Sequence, residues 1–132
     1  SIGSLLYLDK KDLLKYIDTI WSTSVGSLIA LLICLNYSVL FIIKLIEKFD
    51  FNLLVNHNTN VLDNIYKYYG LCSMNNLSIV IKHLIRYKTG KESMTFRELY
   101  KISNITLNIN TTCLDDITTY IFNHINNIYY TI

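Results

Sequence analysis

The sequence predicts an α/β fold, and three observations carry that prediction. A short run rich in β-branched and aromatic residues, Ile17 to Trp21, passes directly into a cluster of small residues and then into an apolar stretch. The run is typical of a strand, and the apolar stretch is typical of a buried helix. Amphipathic helical stripes fill the middle of the chain, and a strand-like alternation follows near its end.

The composition is that of a folded domain. Hydrophobic residues make up 52% of the 132 residues, and the formal net charge is +2. This is enough apolar material for a core, so disorder is not expected. The charges are spread along the chain without a basic cluster, and we therefore expect no nucleic-acid partner. The three histidines show no metal-ligand spacing, so we expect no metal and no cofactor.

The three cysteines, Cys34, Cys72 and Cys113, lie far apart in the sequence. They form neither a CxxC pair nor a disulfide framework. Buried free thiols in a reducing compartment are therefore expected, which favours a cytoplasmic location.

Helices are predicted on both sides of the first strand. An apolar helix at Ile2 to Leu8 and a short connector at Leu13 to Tyr16 precede the strand. After it, Leu28 to Leu35 is continuously apolar and rich in Leu and Ala, which favours a helix buried on all sides. Three amphipathic stripes follow, formed by Val39, Ile42, Ile43, Ile46 and Phe49, then Val61, Leu62, Ile65, Tyr66 and Tyr69, then Leu77, Val80, Ile81, Leu84 and Ile85.

Polar residues and glycines mark the expected helix ends. Ser38 is expected to cap the first stripe, while Gly70 and Gly90 follow the second and third as stop signals. Thr95 and Glu98 form a capping box that opens a short helix reaching to about Ser103.

The tail is predicted to form two strands. Ile105, Leu107 and Ile109 alternate with polar residues at the period of a half-buried strand. Asp115-Asp116 marks a turn, and Thr118 to Phe122 is interpreted as a second strand paired with the first.

The nearly uncharged segment from Val25 to Ile43 admits two interpretations. Its length could span a bilayer. However, Asn36-Tyr37-Ser38 interrupts it near the middle, where one helix would end and Ser38 would cap the next. A pair of buried helices explains the segment at least as well as a membrane span does.

The small-residue cluster carries the candidate chemistry. Ser22-Thr23-Ser24-Val25-Gly26 fits G-x-S-x-G except at its first position, and it stands between a predicted strand and a predicted helix, as a nucleophile elbow requires. At such an elbow the helix N-terminus directs backbone N–H groups toward developing negative charge. Small residues on either side of the serine let strand and helix pack closely. On the pentapeptide alone, simple capping of the helix by these hydroxyl residues is the stronger interpretation.

A wider resemblance favours the elbow. The stretch from Thr23 to Leu32, continued by Leu35-Asn36-Tyr37-Ser38, resembles the segment GTS-[IV]-GS-[LI]-x-ALLLALGYS of patatin-like phospholipases. Met94 to Tyr100 is similar to that family's ITFKELYE, and the segment from Leu107 to Leu114 is similar to its LVITATNL strand. Further matches in the same order are Ile2-Gly3-Ser4-Leu5 with Tyr7-Leu8, Glu47 to Phe51, Tyr69 to Cys72 and Lys88-Thr89-Gly90.

The resemblance implies a three-layer patatin-like sandwich and hydrolysis of lipid esters. In the family a serine attacks the ester carbonyl and an aspartate in a D-G-[GA] motif acts as its base. By that likeness Ser24 is the nucleophile, and the Val25 amide lies near the forming oxyanion, with Ser22 and Gly26 shaping the elbow. The implied partner is a lipid or phospholipid, with peripheral membrane contact.

The likeness also implies that residues 1–132 form an incomplete domain. The family's GGGxxG oxyanion loop is absent from the sequence, and none of its seven aspartates is followed by glycine. Ser22 replaces the first elbow glycine. We therefore expect the chain alone to have negligible hydrolase activity, because a serine without a base is a weak nucleophile. The alternative is a non-catalytic remnant that serves as an interaction or membrane-associating module.

Overall fold

The computed structural model describes residues 2–48, 75–113, 115–127 and 130–132. They form two compact units, Ser1–Leu45 with Ser93–Ile132, and Ile46–Glu92. The described helices are α1 (Ile2–Lys10), α2 (Val25–Cys34), α3 (Val39–Lys48), α4 (Asn75–Thr89) and α5 (Phe96–Ser103), with a 3₁₀ turn at Leu14–Tyr16. The strands are β1 (Thr19–Ser22), β2 (Thr106–Thr112) and β3 (Thr119–Phe122). The predicted α/β class is confirmed, and the architecture is consistent with an incomplete patatin-like domain.

The three strands form one sheet in the order β1-β2-β3. β1 pairs with β2 in parallel, with Thr19 opposite Thr106 and Ser22 opposite Ile109. β2 pairs with β3 in antiparallel register, from Ile109 opposite Phe122 to Thr112 opposite Thr119. The predicted pairing of the two tail strands is confirmed. Because β1 and β2 are parallel, their carboxyl ends lie at the same edge of the sheet.

The described elements lie close to their predicted positions. β1 begins two residues after the predicted start, because the chain from Leu14 to Tyr16 is still wound as a 3₁₀ turn. α2 begins at Val25, three residues before the predicted Leu28. The predicted stripe from Val61 to Tyr69, its stop at Gly70, and Cys72 lie outside the described residues.

The apolar segment from Val25 to Ile43 is divided between two helices. α2 ends where Asn36 adopts a left-handed conformation, with φ of 56°. The Tyr37 amide donates to the Leu32 carbonyl at 3.0 Å and the Asn36 amide to the Ile33 carbonyl at 2.9 Å, which is a Schellman motif. The Ser38 hydroxyl then accepts a hydrogen bond from the Phe41 amide at 3.3 Å, as its predicted capping role requires. Among the described residues, no helix is both long and apolar enough to cross a membrane.

The core of the sheet-bearing unit is built from α2, the start of α3, α5 and β2. Its most deeply buried side chains include Leu32, Ile42, Leu99 and Met94. The carboxyl-terminal residues bind to the segment that precedes α5. The Ile132 amide donates a hydrogen bond to the Met94 carbonyl at 2.8 Å, and Thr131 forms an isolated antiparallel β-bridge with Thr95. No pattern in the sequence predicted this closing contact of the tail.

The capping box at α5 is present in full. The Thr95 hydroxyl accepts a hydrogen bond from the Glu98 amide at 3.2 Å, and the Glu98 carboxylate accepts one from the Thr95 amide at 2.8 Å. These contacts satisfy two backbone donors that the helix itself leaves unpaired.

Replacing Thr95 with alanine is expected to lower the free energy of unfolding by about 1 kcal/mol, since it removes the acceptor for the Glu98 amide. Urea unfolding of Thr95→Ala measures the loss. Thr95→Ser retains the hydroxyl and is expected to lose much less. Equal stability of Thr95→Ala and the parent chain would show that the capping box contributes nothing.

Two of the three cysteines lie in the described residues, and both are free thiols. Cys34 is buried as expected, whereas Cys113 is only half-buried. Burial raises the pKa of the Cys34 thiol to about 11, against a smaller opposing effect of a hydrogen bond with Ser103.

Cys34 is therefore expected to resist alkylation in the folded protein at pH 8, because only the thiolate reacts. Mass spectrometry after iodoacetamide treatment should find Cys113 modified first and Cys34 modified only in denaturant. The raised pKa also makes the free energy of unfolding depend on pH. Below pH 9.0 the thiol is protonated in both states and the full stability is present, and stability is lost as pH rises toward 11, because the unfolded thiol ionises before the buried one. Alkylation of both thiols at the same rate in the folded chain would contradict this account.

Candidate active site

The elbow is a tight turn between β1 and α2. The Gly26 amide donates a hydrogen bond to the Thr23 carbonyl at 3.0 Å, which closes a β-turn with Ser24 at its second position. The Ser27 amide donates to the Ser24 carbonyl at 2.9 Å and begins the helix. Ser24 therefore lies at the corner where the strand direction changes to the helix direction.

The backbone of Ser24 is strained. Its φ is 50° and its ψ is −134°, values close to those of the glycine-favouring second position of a type II′ turn. A residue with a side chain rarely adopts a positive φ, and such strain is concentrated at functional sites. A serine held in this conformation on a strand-to-helix turn is the defining geometry of a nucleophile elbow.

Capping does not explain Ser24. It occupies the N-cap position of α2, yet its side chain makes no capping hydrogen bond. The residue is solvent-exposed, as is Val25 after it. The simple capping interpretation is therefore wrong for this serine, and its hydroxyl remains accessible to a reagent.

The two residues before Ser24 fasten the turn to β2. The Ser22 hydroxyl donates to the Asn108 carbonyl at 3.2 Å, and the Thr23 hydroxyl donates to the Asn110 carbonyl at 3.2 Å. The serine that replaces the first glycine of the motif is thus half-buried and hydrogen-bonded. No side-chain pattern in the sequence could signal this anchoring, because both acceptors are backbone oxygens.

The helix end at the elbow suits a developing negative charge. The first turn of α2 contains no acidic residue, so no carboxylate within that turn offsets the positive end of the helix dipole. Among the described residues, no backbone carbonyl accepts a hydrogen bond from the Val25 amide. That amide follows the serine directly, which is the position of one oxyanion donor in an elbow.

Gly26 does not have the steric role that the motif suggests. Apart from its two chain neighbours and the backbone of α2, no atom of the described residues lies within 4 Å of where a methyl group at this position would be. The close approach of strand and helix expected at Gly26 is therefore not observed here. Gly26 acts in the turn through its amide, which any residue other than proline supplies.

An apolar groove of about 400 Å³ begins at the elbow. It runs between the edge of β1 and one face of α2, and it is lined by Ile20, Trp21, Ser22, Thr23, Gly26, Ile29, Ala30, Ile33 and Asn110. Two buried polar atoms near the elbow, the Ser27 hydroxyl and the Asn110 side-chain oxygen, have no hydrogen-bond partner among the described residues.

The described aspartates fall into two groups. Asp9, Asp12 and Asp18 precede β1, whereas Asp115 and Asp116 lie in the turn between β2 and β3, at the same sheet edge as the elbow. The Asp116 carboxylate already accepts hydrogen bonds from the Tyr120 hydroxyl at 2.8 Å and the Thr118 amide at 3.0 Å. In the described part of the chain, no group of three or more acidic, histidine or cysteine residues could hold a metal ion.

Comparison with known proteins identifies the family of the chain. The family model described as patatin-like phospholipase matches residues 1–126. No curated protein and no solved structure matches the chain. The match covers nearly all of the 132 residues and includes the strand, the elbow and α2. This chain therefore belongs to the patatin-like phospholipase family.

Proposed function

We propose that Ser24 is the nucleophile of a lipid acyl hydrolase that works by a Ser-Asp dyad. The observation that carries the proposal is the strained, exposed conformation of Ser24 at the start of α2, with φ of 50° and no capping hydrogen bond. Family membership supports the lipid substrate, since the matching family is described as patatin-like phospholipase.

In the proposed reaction the Ser24 Oγ forms a bond to the acyl carbon and gives its proton to the base. The carbonyl oxygen becomes an oxyanion near the Val25 amide and the positive end of the α2 dipole. Collapse of this intermediate breaks the ester bond, the alcohol leaves with a proton, and water then releases the fatty acid from Ser24.

The base of the dyad is not assigned to a residue of this chain. The family's base stands in a D-G-[GA] motif, and no aspartate of the 132 residues is followed by glycine. The proposal therefore includes negligible turnover by these 132 residues alone, because an unassisted serine hydroxyl is a weak nucleophile.

The apolar groove supports a lipid substrate over a polar ester, since it is lined by residues on either side of Ser24, although not by Ser24 itself. The groove that begins at Thr23 and Gly26 continues along α2 past Ile29 and Ile33, so an alkyl chain attached to the acyl carbon has apolar side chains to contact. Each methylene group that leaves water for such a surface contributes about 0.8 kcal/mol. Peripheral membrane contact is part of the proposal.

Labelling with two fluorophosphonates that differ only in alkyl chain length tests the substrate class. A lipid acyl hydrolase is expected to react faster with the long-alkyl reagent, each at a concentration where it is monomeric. The matched variant Ile29→Asn places a polar side chain in the groove and is expected to reduce the preference for the long chain. Equal rates with the two reagents would contradict lipid specificity.

A further inference from the structure

The turn between β2 and β3 lies beyond the elbow on the same edge of the sheet. Ser22 is opposite Ile109 in the parallel pair, and β2 then continues through three more residues to Thr112 before the chain turns. At ~3.3 Å per residue this extension amounts to about 10 Å. The turn at residues 115–118 therefore projects past the point where β1 ends and the elbow begins.

The turn presents an isoleucine to solvent. Ile117 is 85% exposed, the highest value among the large hydrophobic residues of the described chain. Its φ is 53°, a conformation in which a β-branched residue is a genuine outlier. Exposure of an apolar side chain and backbone strain thus coincide at one residue, and neither favours the folded protein in water.

Hydrogen bonds hold the turn in this form. The Asp116 carboxylate accepts from the Thr118 amide at 3.0 Å and from the Tyr120 hydroxyl at 2.8 Å. The Cys113 amide donates to the Thr118 carbonyl at 2.9 Å. Ile117 is therefore presented by a built turn, and Tyr120, whose hydroxyl bonds to Asp116 in that turn, is also exposed.

The negative charge of the turn limits the kind of lipid surface that it can bind. Asp115 and Asp116 are exposed, and no lysine or arginine occurs from Cys113 to Phe122. The hydrogen bond from Tyr120 is the main cause that holds the pKa of the Asp116 carboxyl below its usual range, so the turn is anionic at neutral pH. An anionic lipid layer would repel it, whereas a zwitterionic layer would not.

We propose that the 115–118 turn inserts Ile117 into the surface of a zwitterionic phospholipid layer and so places the Ser24 elbow against its lipid substrate. Burial of an isoleucine in the layer recovers the free energy that its exposure costs in water. The exposed Tyr120 also suits the interface, because its ring is apolar and its hydroxyl polar. This inference rests on the proposed function, because the lipid substrate identifies the partner.

Tryptophan fluorescence tests the insertion directly. The chain contains one tryptophan, so Trp21→Phe gives a protein without tryptophan as the background for the test. Ile117→Trp is made in this background, and Ile102→Trp is the matched control. Ile102 is also exposed, but it lies near the end of α5, which leads into the amino end of β2, whereas the 115–118 turn follows the carboxyl end of β2. Both proteins are mixed with phosphatidylcholine vesicles whose acyl chains carry bromine, a fluorescence quencher.

The expected result is a blue shift and quenching of the tryptophan fluorescence of the Ile117→Trp protein, without either change in the Ile102→Trp protein. Ile117→Asn is expected to weaken binding to phosphatidylcholine vesicles roughly tenfold, while Ile102→Asn leaves it unchanged. Asparagine tolerates the left-handed conformation, so this variant keeps the turn. An unshifted, unquenched signal from Ile117→Trp would overturn the proposal, as would binding that is unaffected by Ile117→Asn.

These measurements do not depend on catalysis. Repeating the fluorescence experiment with Ser24→Ala is expected to give the same quenching, because the hydroxyl has no part in insertion. Insertion together with a fluorophosphonate adduct on a serine other than Ser24 would refute the proposed function and leave the anchor standing. A reactive Ser24 without insertion would refute the anchor alone.

Discussion

Replacing Leu32 with alanine is expected to lower the free energy of unfolding by about 2–5 kcal/mol. Leu32 lies in the last turn of α2 with no solvent exposure. The substitution removes apolar atoms from water-free surroundings and leaves a cavity that a packed core fills only in part. A loss of this size is a large share of the roughly 5–15 kcal/mol that separates most folded domains from the unfolded state.

Urea unfolding followed by circular dichroism measures this effect. Leu40→Ala is the matched control, because Leu40 lies on α3 and is 64% exposed. Its expected loss is within about 0.5 kcal/mol. Since α2 carries the elbow at its first turn, Leu32→Ala is also expected to slow any reaction of Ser24. Similar losses in the two leucine variants would contradict the described burial of α2.

Replacing Ser24 with glycine is expected to remove the nucleophile and to make the protein more stable. The strain of a positive φ at a non-glycine residue costs on the order of 1–3 kcal/mol, and glycine relieves it. The greater freedom of glycine in the unfolded chain offsets about 0.5–1 kcal/mol of that gain. A net increase of about 1 kcal/mol in the free energy of unfolding follows from these two effects.

Ser24→Ala separates the backbone effect from loss of the hydroxyl. Alanine also lacks the hydroxyl but retains a Cβ, so it is expected to stay near the stability of the parent chain. Asn104→Gly is a second control, because Asn104 also has a positive φ of 56° but in the left-handed region that asparagine tolerates. If Ser24→Gly is no more stable than Ser24→Ala, the elbow is not strained and the assignment loses its main geometric support.

Local patterns in the sequence predicted much of the fold. The capping box of Thr95 and Glu98, the Ser38 cap and the strand β2 each depend on residues close together in the chain, and all three were confirmed. The half-buried alternation of β2 was wrong, because Asn108 is buried as well as Leu107 and accepts a hydrogen bond from the Asn123 side-chain amide. The start of β1 was less accurate, because Ile17 and Asp18 have strand-like neighbours while the preceding 3₁₀ turn depends on the surrounding structure.

Long-range features could not be predicted in the same way. The parallel pairing of β1 with β2 joins residues far apart in sequence, and the closing contact between Met94 and Ile132 does as well. The hydroxyls of Ser22 and Thr23 bond to backbone oxygens of β2, which carry no side-chain signature.

Ser24 illustrates both what sequence patterns predicted and what only the structure shows. The pentapeptide around Ser24 favoured capping when considered alone, and only the resemblance along the chain favoured an elbow. The backbone angles of Ser24 now provide an argument that neither pattern contained, since a capping serine ordinarily has an extended backbone and uses its hydroxyl as an acceptor.

The assignment of Ser24 as nucleophile is tested most directly by locating a fluorophosphonate adduct. The chain is treated with a long-alkyl reagent, digested, and its peptides are analysed by mass spectrometry. We expect a slowly formed adduct on Ser24 that is lost in Ser24→Ala and retained in Ser27→Ala. An adduct on a different serine, or labelling that Ser24→Ala leaves unchanged, would contradict the assignment.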